Sequence, residues 1–211
     1  VYQTFADNPD RYIIKEPPLE WLAKNGKYLT TVCVGVDFGG TNSASKFQAT
    51  GITSDGCVVA LDEEYIDHKK QSVDPVELNG LYERFIRRVT EVYGYTYTRA
   101  DSAEQILING LRNTARAKGL KTEVHNAMKK SIMDVRVPLE MLLMVQDRLY
   151  VSDRCPHLID AFQTAVYDKD KFHDERLDDG TSDIDSLDAF EYSIEPWSKD
   201  LERMGHRGKK E

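Results

Sequence analysis

An α/β domain, a mixed sheet with helices on both faces, is predicted by three observations. The run Thr31 to Val36 is β-branched or apolar at every position except Gly35, the composition of a central strand covered on both sides. Two further β-prone runs, Ala44 to Thr53 and Cys57 to Ile66, flank Ser54-Asp55-Gly56, and an Asp-Gly between such runs predicts a hairpin antiparallel to its neighbours. From Asp74 onward, segments of helical period alternate with short β-prone runs, the alternation that α/β folds require.

In chain order, residues 1–29 hold Pro9, Pro17 and Pro18 with no sustained period, and read as an irregular lead-in or linker with a short strand near Arg11 to Ile14. The domain proper is expected over 30–197 and a flexible tail over 198–211. Asp74-Pro75 opens a helix whose Leu78, Leu81, Phe85, Val89 and Val92 recur at helical spacing, and Gly94 ends it. Tyr95 to Ala100 predicts a fourth strand. Ser102-Ala-Glu-Gln105 has the form of a capping box opening a helix to about Lys118. Lys121 to Val124 is a short strand, and Ser131 to Arg136 and Pro138 to Gln146 are helices that Pro138 separates. Arg148 to Val151 is a further strand and Pro156 to Val166 a helix. The acid-rich segment Tyr167 to Gly180 reads as a mobile loop. Ser182 to about Ile194 is the last helix, with Ile184, Leu187, Phe190 and Ile194 forming one apolar stripe. Three leading strands followed by helix, strand and helix, with the first strand central, is the RNase H-like arrangement.

With 211 residues, 40% of them hydrophobic, the chain can bury a sizeable core. It lacks a run of roughly 18 apolar residues and a charged-then-apolar leader, so it is read as neither membrane-spanning nor secreted but cytoplasmic. It begins with Val, and is read as a fragment of a longer chain. Cys33, Cys57 and Cys155 lie in apolar contexts without CxxC spacing and are expected to be buried thiols rather than disulfide or zinc ligands. A net charge of −8 excludes a protein that grips nucleic acid over its whole surface. Basic residues cluster at Arg84, Arg87 and Arg88, a solvated helix face, and along Arg112, Arg116, Lys118, Lys121, Lys129 and Lys130, a candidate contact for DNA.

Chemistry centres on the acids. Asp37 ends the central strand before Gly39-Gly40, where backbone or phosphate can come close, with Thr41, Asn42 and Ser43 supplying polar groups. A carboxylate there is costly unless a cation or donors meet it, which fits either metal-dependent phosphodiester cleavage or ATP-dependent phosphoryl transfer. Asp101 falls between a strand's carboxyl end and a helix start, where open α/β sheets place their chemistry. Asp185 and Asp188 stand three apart beside the apolar stripe of the last helix, with Tyr192 four further on; a bound cation would relieve their repulsion. Asp37, Asp101 and Asp188 together suit Mg²⁺ or Mn²⁺, and two such ions about 4 Å apart would serve an in-line displacement at phosphorus. Glu63 and Glu64 are read as surface charges rather than ligands.

The set Val34-Gly-Val-Asp37-Phe-Gly-Gly, Arg99-Ala-Asp101-Ser-Ala-Glu, Lys129-Lys-Ser-Ile132 and Asp185-Ser-Leu-Asp188-Ala-Phe-Glu-Tyr192 resembles the nuclease domain of large terminase subunits of tailed bacteriophages. The resemblance spans about residues 30 to 195. It implies an RNase H-like fold and an endonuclease that cuts concatemeric double-stranded DNA during capsid filling in the host cytoplasm. Asp37, Asp101 and Asp188 then bind divalent metal, and the Lys129-Lys130 pair lies beside DNA; Lys121 and Arg116, from the same basic run, are taken as further DNA contacts. Partners implied are an upstream ATPase domain, which this chain does not carry since it has no GxxxxGK[ST] loop, a small terminase subunit and a portal protein. Many relatives have His where this chain has Asp185, which leaves that residue as an added ligand, a proton acceptor or a helix-cap acid. Two rivals remain. Gly35-Val-Asp-Phe-Gly-Gly-Thr-Asn42 is also similar to the first phosphate loop of sugar kinases of the hexokinase and actin-like superfamily, although no later Gly-rich adenosine motif follows. The other is a domain that keeps the fold as an interaction module without catalysis.

Overall fold

A computed structural model describes residues 1–40, 43–129, 132–168, 176–177 and 183–207. They form one seven-stranded sheet, built from β1 (Ile13–Ile14), β2 (Leu29–Asp37), β3 (Ala44–Thr53), β4 (Val58–Asp67), β5 (Thr96–Ala100), β6 (Thr122–Asn126) and β7 (Leu149–Ser152). The order across the sheet is β1-β7-β4-β3-β2-β5-β6. Only the β2/β3 and β3/β4 pairs are antiparallel, so β3 alone runs against the other six strands. The hairpin expected at Asp55-Gly56 joins β3 to β4, with Gly56 at φ +79°, a left-handed turn position that glycine adopts without strain.

The helices are α1 (Gln3–Asp7), α2 (Pro18–Lys24), α3 (Pro75–Tyr93), α4 (Gln105–Ala117), α5 (Val137–Val145), α6 (Pro156–Thr164), α7 (Ile184–Ile194) and α8 (Ser198–Arg207). On one face of the sheet, α3 and α4 seal a core of Val32, Val34, Val36, Phe47, Tyr82, Phe85, Ile108 and Leu111. On the other, α1, α5, α6 and α7 enclose Phe5, Tyr12, Leu143, Leu158, Phe162, Leu187 and Phe190. Burying each such side chain contributes about 1.5–3 kcal/mol. Two cores are needed because β2 from Val32 onward and the whole of β3 are buried on both faces, and each face needs its own helical cover. α3 begins on a full capping box, Asp74 accepting the amides of Val76 and Glu77 while Glu77 reaches back.

Several expectations need correction. The lead-in is part of the domain: Tyr2, Phe5 and Tyr12 are buried, and β1 joins the sheet edge beside β7. The expected tail begins as α8, whose Leu201 is buried and whose Leu201 carbonyl accepts a hydrogen bond from the Arg148 guanidinium at 2.9 Å. Ser102 does not cap α4, which starts at Gln105. Asp101 takes that turn instead, accepting the amide of Ala103 at 2.9 Å. Ile132–Arg136 is a π-wound turn that runs into α5 without interruption; Pro138 sits in the first turn of α5, where a proline's missing N–H has no partner to lose. All three cysteines are buried and free, as expected. Among the described residues no helix is long and apolar enough to cross a membrane.

Candidate active site

Four acids meet at the carboxyl ends of β2 and β5, under α7. Asp37 is the last residue of β2 and is 7% exposed. Asp101 follows β5 directly, and its amide donates to the Val36 carbonyl at 2.9 Å, which fixes it alongside Asp37 on the neighbouring strand. Gly35 explains how Asp188 arrives. A Cβ there would lie 1.7 Å from the Ala189 carbonyl oxygen, so the missing side chain is what lets the backbone of α7 rest on β2. The stripe Leu187, Phe190 and Ile194 presses α7 onto the sheet, which brings Asp188 close enough for its charge to act on Asp37. Asp185 lies one turn earlier and accepts the amide of Ala44, the first residue of β3, at 2.9 Å. The cap of α7 is Asp183, which accepts the Ser186 amide, so the helix-cap role considered for Asp185 is filled by its neighbour.

The electrostatics reflect this convergence. Burial raises the Asp37 carboxyl well above its usual range, and the charges of Asp188, Asp185 and Asp101 raise it further, with Lys129 opposing them. Asp188 is pushed up to about 6 by burial and by Glu191, against the pull of Arg176 and Arg136. Tyr192 is raised by burial, then by Asp188, Asp37 and Asp101. Asp37 has no hydrogen-bond or ion-pair partner among the described residues. A buried carboxyl ringed by three others is costly to ionise unless a cation meets it, and an all-oxygen donor set suits Mg²⁺ or Mn²⁺. Among the described residues no three His, Cys, Asp or Glu side chains are drawn close enough to enclose an ion by themselves. Protein cations stand among them instead: Lys129 is ion-paired to Asp101, and Arg176 and Arg136 reach Asp188 Oδ1 at 2.8 and 3.3 Å.

Behind Asp188 lies a buried network that sequence reasoning missed. Arg136 and Arg176 both contact Glu191, Arg136 also holds Glu195 at 3.0 Å, and Tyr2 is hydrogen-bonded to buried Glu140. Glu195 in turn accepts the amides of Met128 and Lys129. A signal for it was present, since Asp188, Glu191 and Glu195 step by three and four along one side of α7 and into the turn that follows it. Arg176 falls within the segment expected to be a mobile loop, yet it is buried and bridges to Tyr167. The rest of that expectation, at 169–175 and 178–180, lies outside the described residues.

Other predicted residues fall elsewhere. Lys121 and Arg116 do not join Lys129. Because β5 and β6 are parallel, α4 must carry the chain back before β6 begins, so both residues lie at the end of the sheet away from Asp101. Lys130, Thr41 and Asn42 lie outside the described residues. Glu63 is not a surface charge: it is buried, pairs with fully buried Lys46 at 2.5 Å, and accepts the amides of His157 and Leu158 at the start of α6. Glu64 and Asp62 pair with Arg88, which ties α3 to β4. Gly39 serves the protein backbone rather than a phosphate, since a Cβ there would meet the Ala44 carbonyl oxygen at 2.3 Å.

Residues 37–196 match the family described as “Terminase RNAseH like domain”. No curated protein sequence matches the chain. Among solved structures, the large terminase from a thermophilic bacteriophage is similar with a TM-score of 0.68 at 16% identity, covering 92% of this chain and 43% of that one. This chain thus spans less than half the length of that protein. The large terminase nuclease from thermophilic phage G20c gives a TM-score of 0.59 at 14% identity over 92% of this chain and 98% of that one. The g2p large terminase nuclease domain of bacteriophage SPP1, solved with bound Mn, gives 0.57 at 20% identity over 88% and 96%.

Proposed function

The chain belongs to the family of terminase RNase H-like domains, and we propose that it is a divalent-metal-dependent endonuclease that cuts concatemeric double-stranded viral DNA during genome packaging. The observation that carries this reading is Asp37: a buried carboxylate without a hydrogen-bond partner among the described residues, facing Asp101, Asp185 and Asp188. Nuclease domains with the same fold have been solved with bound Mn and with bound magnesium.

Asp37, Asp101 and Asp188 are the proposed ligands, with Asp185 as an additional one. Mg²⁺ or Mn²⁺ held there, two ions on this reading, would lower the pKa of a bound water and offset charge on the leaving oxygen. The chain's own residues do the positioning. Asp37 is anchored as the last residue of a central strand. Arg136 and Arg176 both hold Asp188 by its Oδ1. Asp101 is oriented by the Ala103 amide. Lys129, with Lys130 beyond the described residues, is the proposed contact for the DNA phosphate. Cleavage is expected to show little sequence preference, because nothing in the chain resembles a base-reading element.

On this reading the proposed partners are an upstream ATPase domain, the small terminase subunit and the portal, in the host cytoplasm. Asp37→Ala, Asp101→Ala and Asp188→Ala should each abolish Mn²⁺-dependent nicking and linearisation of plasmid while circular dichroism stays that of the parent. Unchanged cleavage in all three would reject the assignment and leave a non-catalytic interaction domain.

A further inference from the structure

We propose that Lys129 is an exchangeable counter-ion, holding Asp101 while the site is empty of metal and transferring to a DNA phosphate when a divalent ion displaces it. The inference rests on the metal-dependent reading above and adds to it a competition within the protein's own residues.

Three features carry it. The Lys129 ammonium is ion-paired to Asp101 Oδ1, and its charge is also felt at Asp37, so it stands among the acids where a bound cation would stand. Its side chain is 39% exposed, whereas that of Asp101 is 14% exposed, so the lysine is the partner free to leave. Its backbone, by contrast, is mounted. Lys129 has φ +49°, a left-handed conformation that costs a non-glycine residue energy and persists only when the surroundings impose it. Here Glu195 imposes it, with one carboxylate oxygen accepting the amides of Met128 at 2.9 Å and Lys129 at 3.2 Å. The other oxygen of Glu195 is held by Arg136 at 3.0 Å, and Arg136 reaches Asp188 Oδ1. The segment is also tied to β5, the Ala127 amide donating to the Ala100 carbonyl at 2.7 Å.

A fixed backbone carrying a mobile, four-carbon cationic stem can exchange one anionic partner for another without moving the chain. In the free domain the partner is Asp101, and the ammonium offsets repulsion among the acids. A divalent ion brings twice the charge to the same carboxylates and takes Asp101. The released ammonium then lies at the rim of the site, within reach of a phosphate that the ion also attracts. Lys129 therefore lowers metal affinity in the absence of DNA and raises DNA affinity in the presence of metal.

The test is calorimetric titration of MnCl₂ into the parent domain, Lys129→Ala and Lys129→Met, the last keeping most of the apolar stem. Both variants should bind Mn²⁺ about three- to five-fold more tightly than the parent, the scale of a partly exposed ion pair, and the gain should shrink with added salt. With Ca²⁺ in place of Mn²⁺, fluorescence anisotropy should show weaker binding of a short duplex by both variants. Opposite signs in the two titrations separate exchange from a structural role, which would weaken both. Equal or weaker Mn²⁺ binding by both variants overturns the exchange while leaving the nuclease reading intact. Failure of the parent domain itself to bind Mn²⁺ overturns the two together.

Discussion

Gly35→Ala tests how the site is assembled. The added Cβ would stand 1.7 Å from the Ala189 carbonyl oxygen, 2.8 Å from its carbon and 3.0 Å from the Ser193 amide nitrogen. Carbon and oxygen in contact keep about 3.3 Å, so α7 must lift from β2 by about 1.5 Å at that point. The obstacle is backbone, which no rotamer change can relieve, and α7 is held down by fully buried Leu187 and Phe190. Overpacking of this kind costs about 1–3 kcal/mol. The larger effect falls on geometry, because Asp188 is next to Ala189 and moves with it. A misplacement of about 1 Å in a reacting constellation costs on the order of 10²-fold in rate. Gly51→Ala in β3 is the matched control, since its Cβ would meet side-chain atoms of Leu29 and Leu61 that can yield. Urea denaturation and Mn²⁺-dependent plasmid linearisation should show both variants modestly destabilised and only Gly35→Ala slowed about 100-fold. Parental activity in Gly35→Ala, or an equal loss in Gly51→Ala, would refute the packing argument.

The acids give further tests. Asp37→Asn should stabilise the metal-free domain at pH 7.5, by about 1–3 kcal/mol in urea denaturation, because it removes a buried charge surrounded by like charges. Asp188 has a folded pKa of about 6 against a usual 3.8, so its stabilising contribution is complete below about pH 4 and is lost as pH rises through about 6. The stability difference between the parent and Asp188→Asn should therefore change by about 2–3 kcal/mol across that window and level off above it. Glu63→Gln should destabilise the fold by about 3–5 kcal/mol, since it leaves the Lys46 ammonium, 0% exposed, without its partner; Mn²⁺ affinity measured by calorimetry should be unchanged, as Glu63 is not a ligand.

The periods of the chain carried the element order. Val32, Val34 and Val36 alternate with Cys33 and Gly35 in a run apolar on both sides, and that required two helical layers wherever the strand was placed. The hairpin at Asp55-Gly56, the capped start of α3 and the stripe of α7 each rest on chemistry within a few residues, which is why they were legible. Asp37 and Asp101 could be singled out for the same reason, as acids at strand ends.

What no local pattern could supply was the company each charge keeps. Glu63 and Lys46 are adjacent only because β3 and β4 pair in register, and Arg176 is buried only because α7 presents Glu191 and Asp188 to it. Lys129 reads as one of several lysines until Glu195, sixty-six residues later, fixes its backbone beside Asp101. The sequence alone thus determined the order of the main elements from β2 to α7 and the acids at their ends, but not the helices at the two ends of the chain. The tertiary structure decided which acids face one another and which cations oppose them, because Coulomb and desolvation energies depend on separation in space and on exclusion of water, and neither is a property of neighbours along the chain.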